Sequence, residues 1–405
     1  MKKILFILYT CCILLFPVSA QQIPSFKAND RIVFLGNSIT EGGHYHSYIW
    51  LYYMTHFPEL PLRIYNGGIG GDCASHMVFR FDSDIKIKKP TYLVCSFGMN
   101  DSGYDGYNKP GYDKYANKQV EYANTEFGKL QQQILADKKI KNVVLLGSSP
   151  YDENVKLEGV ETLHGKNETI KRIIEMQAEV AQKRGWGFVN FNTVMCELNK
   201  EIQQSDSTAT FCGGDRIHPD KDGHMVMAYL FLKAQGLAGK EVAYFHINAT
   251  NRKAMEERNC RITHIKNEND TISFSYLSRS LPFPVDTIPR WGTKGTARDA
   301  VRQVPFMQEM NQEIMKVTDL HGNFRVTIDG TEIGRWDGNE LSKGINLAEI
   351  TCTPQYQQSL SIMYLNEERC SIEKRLRQYM AMQYVFFKHR GLLFADNKAA
   401  LDAAK

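Results

Sequence analysis

Between residues 31 and about 236, short apolar runs alternate with longer stretches whose apolar positions recur at helical spacing. The runs at 32–35, 62–65, 92–97, 143–146 and 187–191 have the length of strands, and each lies beside glycine or a turn-forming segment. Helices are predicted over 44–57, 115–137, 161–184 and 219–237, the last with Pro219 in its first turn. Strands that are apolar throughout are buried on both faces, so this part of the chain predicts a parallel sheet covered by helices on each side. An open sheet of that kind binds its ligands beyond the carboxyl ends of the strands. Those positions are where chemistry is sought.

After about residue 239 the pattern changes. Residues 271–276 and 324–328 alternate polar with apolar, the second run leading into the turn Asp329-Gly330, and they predict antiparallel strands with one wet face. Residues 281–290 carry Pro282, Pro284 and Pro289 and predict an extended surface connection. From 354 to about 389 there is neither glycine nor a second proline, which predicts one long helix of about 54 Å. Its apolar positions, Leu360, Met363, Ile372, Leu376 and Met380, suit packing along the main body better than a coiled-coil seam. The division that follows is a main domain over 21–238, a β-rich accessory region over 239–353 and a terminal helix over 354–405. No internal repeat or low-complexity tract is evident.

The first twenty residues read as an address. Lys2 and Lys3 precede an apolar stretch, and Val18-Ser19-Ala20 fits a cleavage site before Gln21. An exported, periplasmic or secreted protein is expected, with no stable membrane span once the leader is removed. The composition of the full chain, 43% hydrophobic and 23% charged, excludes a disordered or polytopic membrane chain. A net charge of +4 without any long basic run argues against nucleic acid as a partner. Seven cysteines lie beyond the leader; the odd number leaves at least one thiol unpaired in a monomer. Cys95 reads as a core residue, and Cys196 and Cys212 flank a polar loop across which they could pair.

Four segments present chemistry at the expected places. Gly36-Asn37-Ser38-Ile39-Thr40 follows the first strand, and its serine is either a helix cap or a nucleophile. Gly70-Gly71-Asp72 follows the second, where backbone N–H groups of a glycine-rich turn can face an anion. Gly98-Met99-Asn100-Asp101 follows the third, and Asp215-Arg216-Ile217-His218-Pro219 precedes the last helix. Ester hydrolysis requires a nucleophile, a base, a group orienting the base, and donors for the developing oxyanion. Ser38 supplies the hydroxyl, His218 the base and Asp215 its partner. The donors are the Ser38 N–H, the Gly71 N–H and the Asn100 amide.

Taken together, the four blocks resemble the SGNH, or GDSL-type, hydrolase superfamily, named for a serine, glycine, asparagine and histidine in separate blocks. The resemblance spans roughly residues 30–237, with Asn37 where the commoner pattern has aspartate and Gly71 at the oxyanion position. It implies a flavodoxin-like three-layer α/β fold, no metal, no organic cofactor, and a serine esterase working through an acyl-enzyme. Exported members with accessory regions are often carbohydrate esterases, so an acetylated polysaccharide is the expected substrate. The alternatives are a lipase, lysophospholipase or thioesterase of the same superfamily, or a glycan-binding protein with a vestigial site. Oligomeric state is not legible.

Other residues carry competing readings. His44 and His46 form an H-x-H pair without further ligands at matching spacing, and read as ring residues lining the site mouth. Asp222 and His224 follow His218 closely, but a helix there makes His224 inward-facing or a cap. Gly70-Gly71-Asp72 lacks the Gly-Lys-Ser/Thr of a phosphate-binding loop. Of Trp186, Trp291 and Trp336, which could stack on sugar rings, Trp186 reads as packing and Trp291 is the best placed of the three for a sugar platform without being singled out as one.

Overall fold

The computed structural model describes residues 22–269, 271–288 and 295–381. The leader, Trp291 and residues 382–405 lie outside the described residues. Strands β1 (Arg31–Gly36), β2 (Arg63–Gly68), β3 (Tyr92–Phe97), β4 (Asn142–Gly147) and β5 (Gly187–Asn190) form one parallel sheet in the order β2-β1-β3-β4-β5. Successive side chains alternate between faces. Ile32 and Phe34 enter one core with helices α2 (His44–His56), α6 (Phe191–Ile202) and α7 (Lys221–Ala234), whereas Val33 and Leu35 enter the other with α3 (Ala74–Arg80) and α4 (Tyr112–Ala136). Helix α5 (Lys166–Arg184) follows β4 and packs beside α4. This is the three-layer α/β fold the sequence predicts. The chain leaves β1 toward one edge and later crosses to β3, so the switch point lies at the end of β1, where Ser38 opens the short helix α1 (Ser38–Gly42).

Several expectations need correction. Helices α3 and α6 carry no clear sequence signal, because α3 is one short segment and α6 begins directly at the end of β5. Strand β2 runs through Asn66, Gly67 and Gly68, so the tight turn is confined to Ile69–Asp72, closed by the Asp72 N–H on the Ile69 carbonyl at 3.2 Å. Cys196 and Cys212 are not bonded: their sulfurs accept hydrogen bonds from Asn167 and Asn199, and every described cysteine is a free thiol.

Beyond α7, β6 (Ala243–Asn248), β7 (Lys253–Arg258), β8 (Cys260–Glu268) and β9 (Thr271–Ser278) precede two short helices, α8 (Ala297–Ala300) and α9 (Phe306–Met310). Strands β10 (Glu313–Thr318), β11 (Asn323–Ile328) and β12 (Thr331–Asp337), helix α10 (Gly338–Lys343), β13 (Ile345–Asn346) and helix α11 (Pro354–Ala381) complete the order. The β8/β9 and β11/β12 hairpins are antiparallel, as their alternation predicts. The sheet β13-β10-β6-β7 is mixed, however, because β10 pairs β6 in parallel across a long connection. Alternation reports a wet face and leaves strand direction open.

The proline-rich connection is extended but not superficial. Phe283 and Asp286 are buried, and Asp286 accepts from Lys221 Nζ at 2.5 Å. The terminal helix differs more. Met363 is buried and Leu360 packs against the core as expected, yet Ile372 and Leu376 face solvent, and toward its end α11 docks on the outer edge of β2 through polar groups. Glu373 accepts from the Asn66 N–H at 2.7 Å and Arg377 donates to the Gly68 carbonyl at 3.0 Å. These are backbone groups that an edge strand otherwise leaves unpaired. Among the described residues no helix is long and apolar enough to cross a membrane.

Candidate active site

Asn37 resolves the ambiguity at Ser38. Its side chain caps α1 by accepting from the Ile39 N–H at 3.0 Å, so Ser38 occupies the first helical position with its hydroxyl released from capping. Ser38 Oγ lies 2.8 Å from His218 Nε2, and His218 Nδ1 lies 2.5 Å from Asp215 Oδ2. The other carboxylate oxygen accepts from the backbone N–H groups of Ile217 at 3.0 Å and His218 at 2.9 Å. Burial raises the Asp215 pKa, but the hydrogen bonds and charge of His218 outweigh it and hold the carboxyl below its usual range. Hydroxyl, imidazole and carboxylate thus form one hydrogen-bonded chain able to draw the serine proton onto His218.

The loop bearing Asp215 and His218 is held from behind. Gly213 takes a left-handed φ of +72°, and a β-carbon there would collide with the His218 carbonyl. Arg216 also has positive φ, +70°, an uncommon conformation for a side-chain-bearing residue. Its buried guanidinium donates to the carbonyls of Asp152 and Val155, while Asp152 N–H donates to the Arg216 carbonyl at 3.0 Å. Arg216 therefore points into the protein while His218 reaches Ser38 and Asp215 reaches His218. Sequence gave no reason to single it out.

Two further segments reach the same end of the sheet. The ends of β2 and β3 flank β1, about 4.8 Å to either side. Gly71 has φ +79° and nothing near the place of a β-carbon, so conformation rather than crowding demands glycine. Asn100 Nδ2 donates to the Asp72 carbonyl at 3.0 Å, and Tyr104 Oη donates to Asn100 Oδ1 at 2.8 Å. One amide hydrogen is engaged and its NH2 end is turned toward the Gly71 turn. Asp101 ties the segments together, accepting from Ala74 N–H at 2.7 Å and Gly98 N–H at 2.8 Å.

Lys166, another residue without a sequence signal, lies wholly buried beneath this loop. Its ammonium donates to Met99 O, Ser102 Oγ and Gly103 O at 2.6–2.9 Å and sits 3.7 Å from the Tyr104 ring centroid. Burial pushes its pKa down to about 7, against the pull of Asp101. Three acceptors and a ring face favour the charged form in return.

The histidines after Ser38 do not line the mouth as the sequence reading had them. His46 is fully buried between sheet and helices, its Nε2 3.2 Å from the Thr40 carbonyl, and burial with the nearby Arg369 charge pushes its pKa down to about 3. His44 faces Glu367 of α11 at 3.8 Å. Helix α2 is enclosed by the sheet, α7 and α11, which leaves its rings little access to solvent. His224 is buried, stacked on Tyr45 with its Nδ1 accepting from the Tyr45 N–H. Trp186 packs in the core. Among the described residues no three histidine, cysteine or carboxylate side chains converge to hold a metal ion.

Comparison with known proteins adds an independent line. Residues 34–226 match the GDSL-like lipase/acylhydrolase family, and residues 360–405 match the diltiazem deacetylase C-terminal helical domain. An acetylxylan esterase of Geobacillus stearothermophilus is 22% identical over 224 residues, spanning 52% of this chain and 95% of its own. Its solved structure aligns at TM-score 0.41 and 20% identity over 52% of this chain and 95% of that one. The solved structure of a gut microbial diltiazem-metabolizing enzyme is 50% identical at TM-score 0.91, covering 95% of this chain and 87% of that chain.

Proposed function

The chain belongs to the SGNH, or GDSL-type, hydrolase superfamily and is a carboxylic ester hydrolase, and from that premise we propose that Ser38, His218 and Asp215 remove acetyl groups from an acetylated saccharide. Ser38 Oγ attacks the ester carbonyl as His218 Nε2 takes its proton, and Asp215 stabilises the imidazolium so formed. A bond forms from Oγ to the carbonyl carbon, and the oxyanion is met by the Ser38 N–H, the Gly71 N–H and the free Asn100 amide hydrogen. Collapse breaks the carbon–oxygen bond to the alcohol, which leaves with the proton from His218. Water then repeats the sequence on the acyl-enzyme and releases acetate and Ser38. No step calls for a cofactor.

The observation that carries the mechanism is the Ser38–His218–Asp215 chain, with bonds of 2.8 and 2.5 Å. An intact chain of this kind also counts against a purely glycan-binding role. The acetyl group is what the two similarities share: one relative is an acetylxylan esterase, and the terminal segment matches a domain of a diltiazem deacetylase. The saccharide half rests on the xylan esterase likeness and on the expected export of the chain, a periplasmic or secreted enzyme meeting polymeric esters outside the cytoplasm.

The test is release of acid from p-nitrophenyl esters of rising chain length, acetylated xylo-oligosaccharides and diltiazem, with Ser38→Ala as control. Turnover greatest on acetates and lost in the control supports the reading. A preference for acyl chains of eight or more carbons overturns it in favour of a lipid esterase. Acetate released from diltiazem but from no acetylated saccharide removes the saccharide half alone.

A further inference from the structure

Two arginines far apart in sequence share one carboxylate behind the site. Arg377, on α11, places Nη1 and Nη2 each 2.7 Å from the oxygens of Asp84 and its Nε 3.0 Å from the Gly68 carbonyl. Arg80, at the end of α3, donates to the same Asp84 at 2.5 Å and to Asp72 at 2.7 Å. Its remaining guanidinium nitrogen reaches the carbonyls of Gly36, at 3.2 Å, and Gly67, at 2.7 Å. All three charged side chains at the centre are at most 4% exposed. Burial raises the Asp84 pKa, but the Arg377 bond and the charges of Arg377, Lys88 and Arg80 hold the carboxyl far below its usual range.

The backbone carbonyls held by the two guanidinium groups lie within four residues of Ser38 or Gly71. Gly36 is two residues before Ser38. Gly67 and Gly68 end the strand that leads into the Gly71 turn, and Asp72 closes that turn while its carbonyl takes the Asn100 amide. A guanidinium holds its donors in a rigid planar fork, so three bonds from one side chain set an angle as well as a distance. The terminal helix thereby reaches the segments whose placement determines the oxyanion hole.

We propose that Arg377 is a positioning residue for ester hydrolysis, fixing the oxyanion turn through Gly68 and through the Asp84–Arg80–Asp72 chain, so that the appended helix is part of the catalytic framework. The inference rests on the assignment of Gly71 and Asn100 as oxyanion donors. Its expected signature is a defect in the transition state with the ground state spared, because charge appears on the carbonyl oxygen only there. A misplacement of about 1 Å costs up to roughly 10²-fold in rate, so partial loss of the fork is expected to cost roughly tenfold or more.

The experiment compares Arg377→Met, Arg377→Lys and Asn366→Ala in the full chain. Asn366 docks the same helix by donating to the Ser47 carbonyl at 3.0 Å, about 16 Å farther along its axis and away from the strand ends. Active sites are counted by burst titration with an organophosphonate, so that unfolded protein drops out of kcat. Expected are a kcat roughly tenfold or more lower in Arg377→Met with KM within twofold, and a parallel loss of affinity for a boronic acid that mimics the tetrahedral intermediate. Arg377→Lys, with one charge but no fork, should fall between Arg377→Met and the wild type, and Asn366→Ala should keep kcat per site within twofold even where its melting temperature drops. A normal kcat per site in Arg377→Met overturns the inference, as does an equal loss in Asn366→Ala, which would show that docking alone matters. Asn100→Ala, run beside them, separates the two levels of argument: a normal kcat there removes the oxyanion assignment itself, whereas an impaired Asn100→Ala beside a normal Arg377→Met removes only the role of the helix.

Discussion

Replacing Asp215 by asparagine tests the relay at the point where its geometry is most constraining. Asp215 serves three donors: Oδ1 takes the N–H groups of Ile217 and His218 at 3.0 and 2.9 Å, and Oδ2 takes His218 Nδ1 at 2.5 Å. An asparagine has one acceptor oxygen, and the two backbone donors claim it. Its NH2 must then face His218 Nδ1 and donate, which makes Nδ1 an acceptor and moves the imidazole proton to Nε2. Nε2 is the atom 2.8 Å from Ser38 Oγ, so the base meets its substrate proton already protonated. Spacing alone suggests a mild effect, because an isosteric amide keeps the ring in place; the two backbone bonds make it severe. The expected fall in kcat is roughly 10³–10⁴-fold, as wrong-tautomer substitutions of triad carboxylates produce. Asp215→Ala, which imposes no tautomer, should be no worse than Asp215→Asn despite removing more of the side chain. The assay is hydrolysis of p-nitrophenyl acetate per titrated site, with the protonated ring nitrogen identified by 15N chemical shift. An asparagine variant within tenfold of wild type, or one carrying its proton on Nδ1, would refute the argument.

Asn100→Ala is expected to lower kcat roughly 10²–10³-fold with little change in KM, and Tyr104→Phe, which frees Asn100 Oδ1, to lower it less; equal, small effects on both would leave Asn100 a turn residue. Lys166→Met should cost about 3 kcal/mol of stability, since it strands the buried acceptors Met99 O and Gly103 O, and should lower kcat with it; denaturant unfolding and kinetics on one preparation check this. Glu313, fully buried on β10, is pushed up to about 7 by burial, with bonds from Tyr276 and Gln355 opposing the rise. A folded pKa above the unfolded one means that the fold's advantage is full below about pH 4.5 and is lost as pH rises through about 7. Glu313→Gln should therefore match wild type near pH 4.5 and exceed it at pH 8 by up to about 3 kcal/mol, and a stability difference independent of pH would rule this out.

The alternating strands and helices of the main domain were legible because burial on both sheet faces writes a recognisable pattern into short apolar runs. Asp215 and His218 follow α6 rather than a strand and reach Ser38 only in the fold, but the common position of Ser38, Gly71 and Asn100 was legible for a related reason. A parallel sheet sends residues just past its strands to one edge, so local sequence carries their placement. The helix α6 and the parallel pairing of β6 with β10 were not, since neither a strand running straight into a helix nor a pairing across a long connection leaves a local periodicity. For the terminal helix, the sequence determined that it forms and the tertiary structure determined how it docks. Its apolar Ile372 and Leu376 face solvent, while Arg377 and Glu373 are drawn to the open edge of β2, where unpaired backbone groups and the buried Asp84 offer partners that apolar side chains cannot satisfy. Arg216 and Lys166 follow the same rule. A buried charge is stable only where acceptors from distant segments converge on it, and that convergence comes into being with the fold.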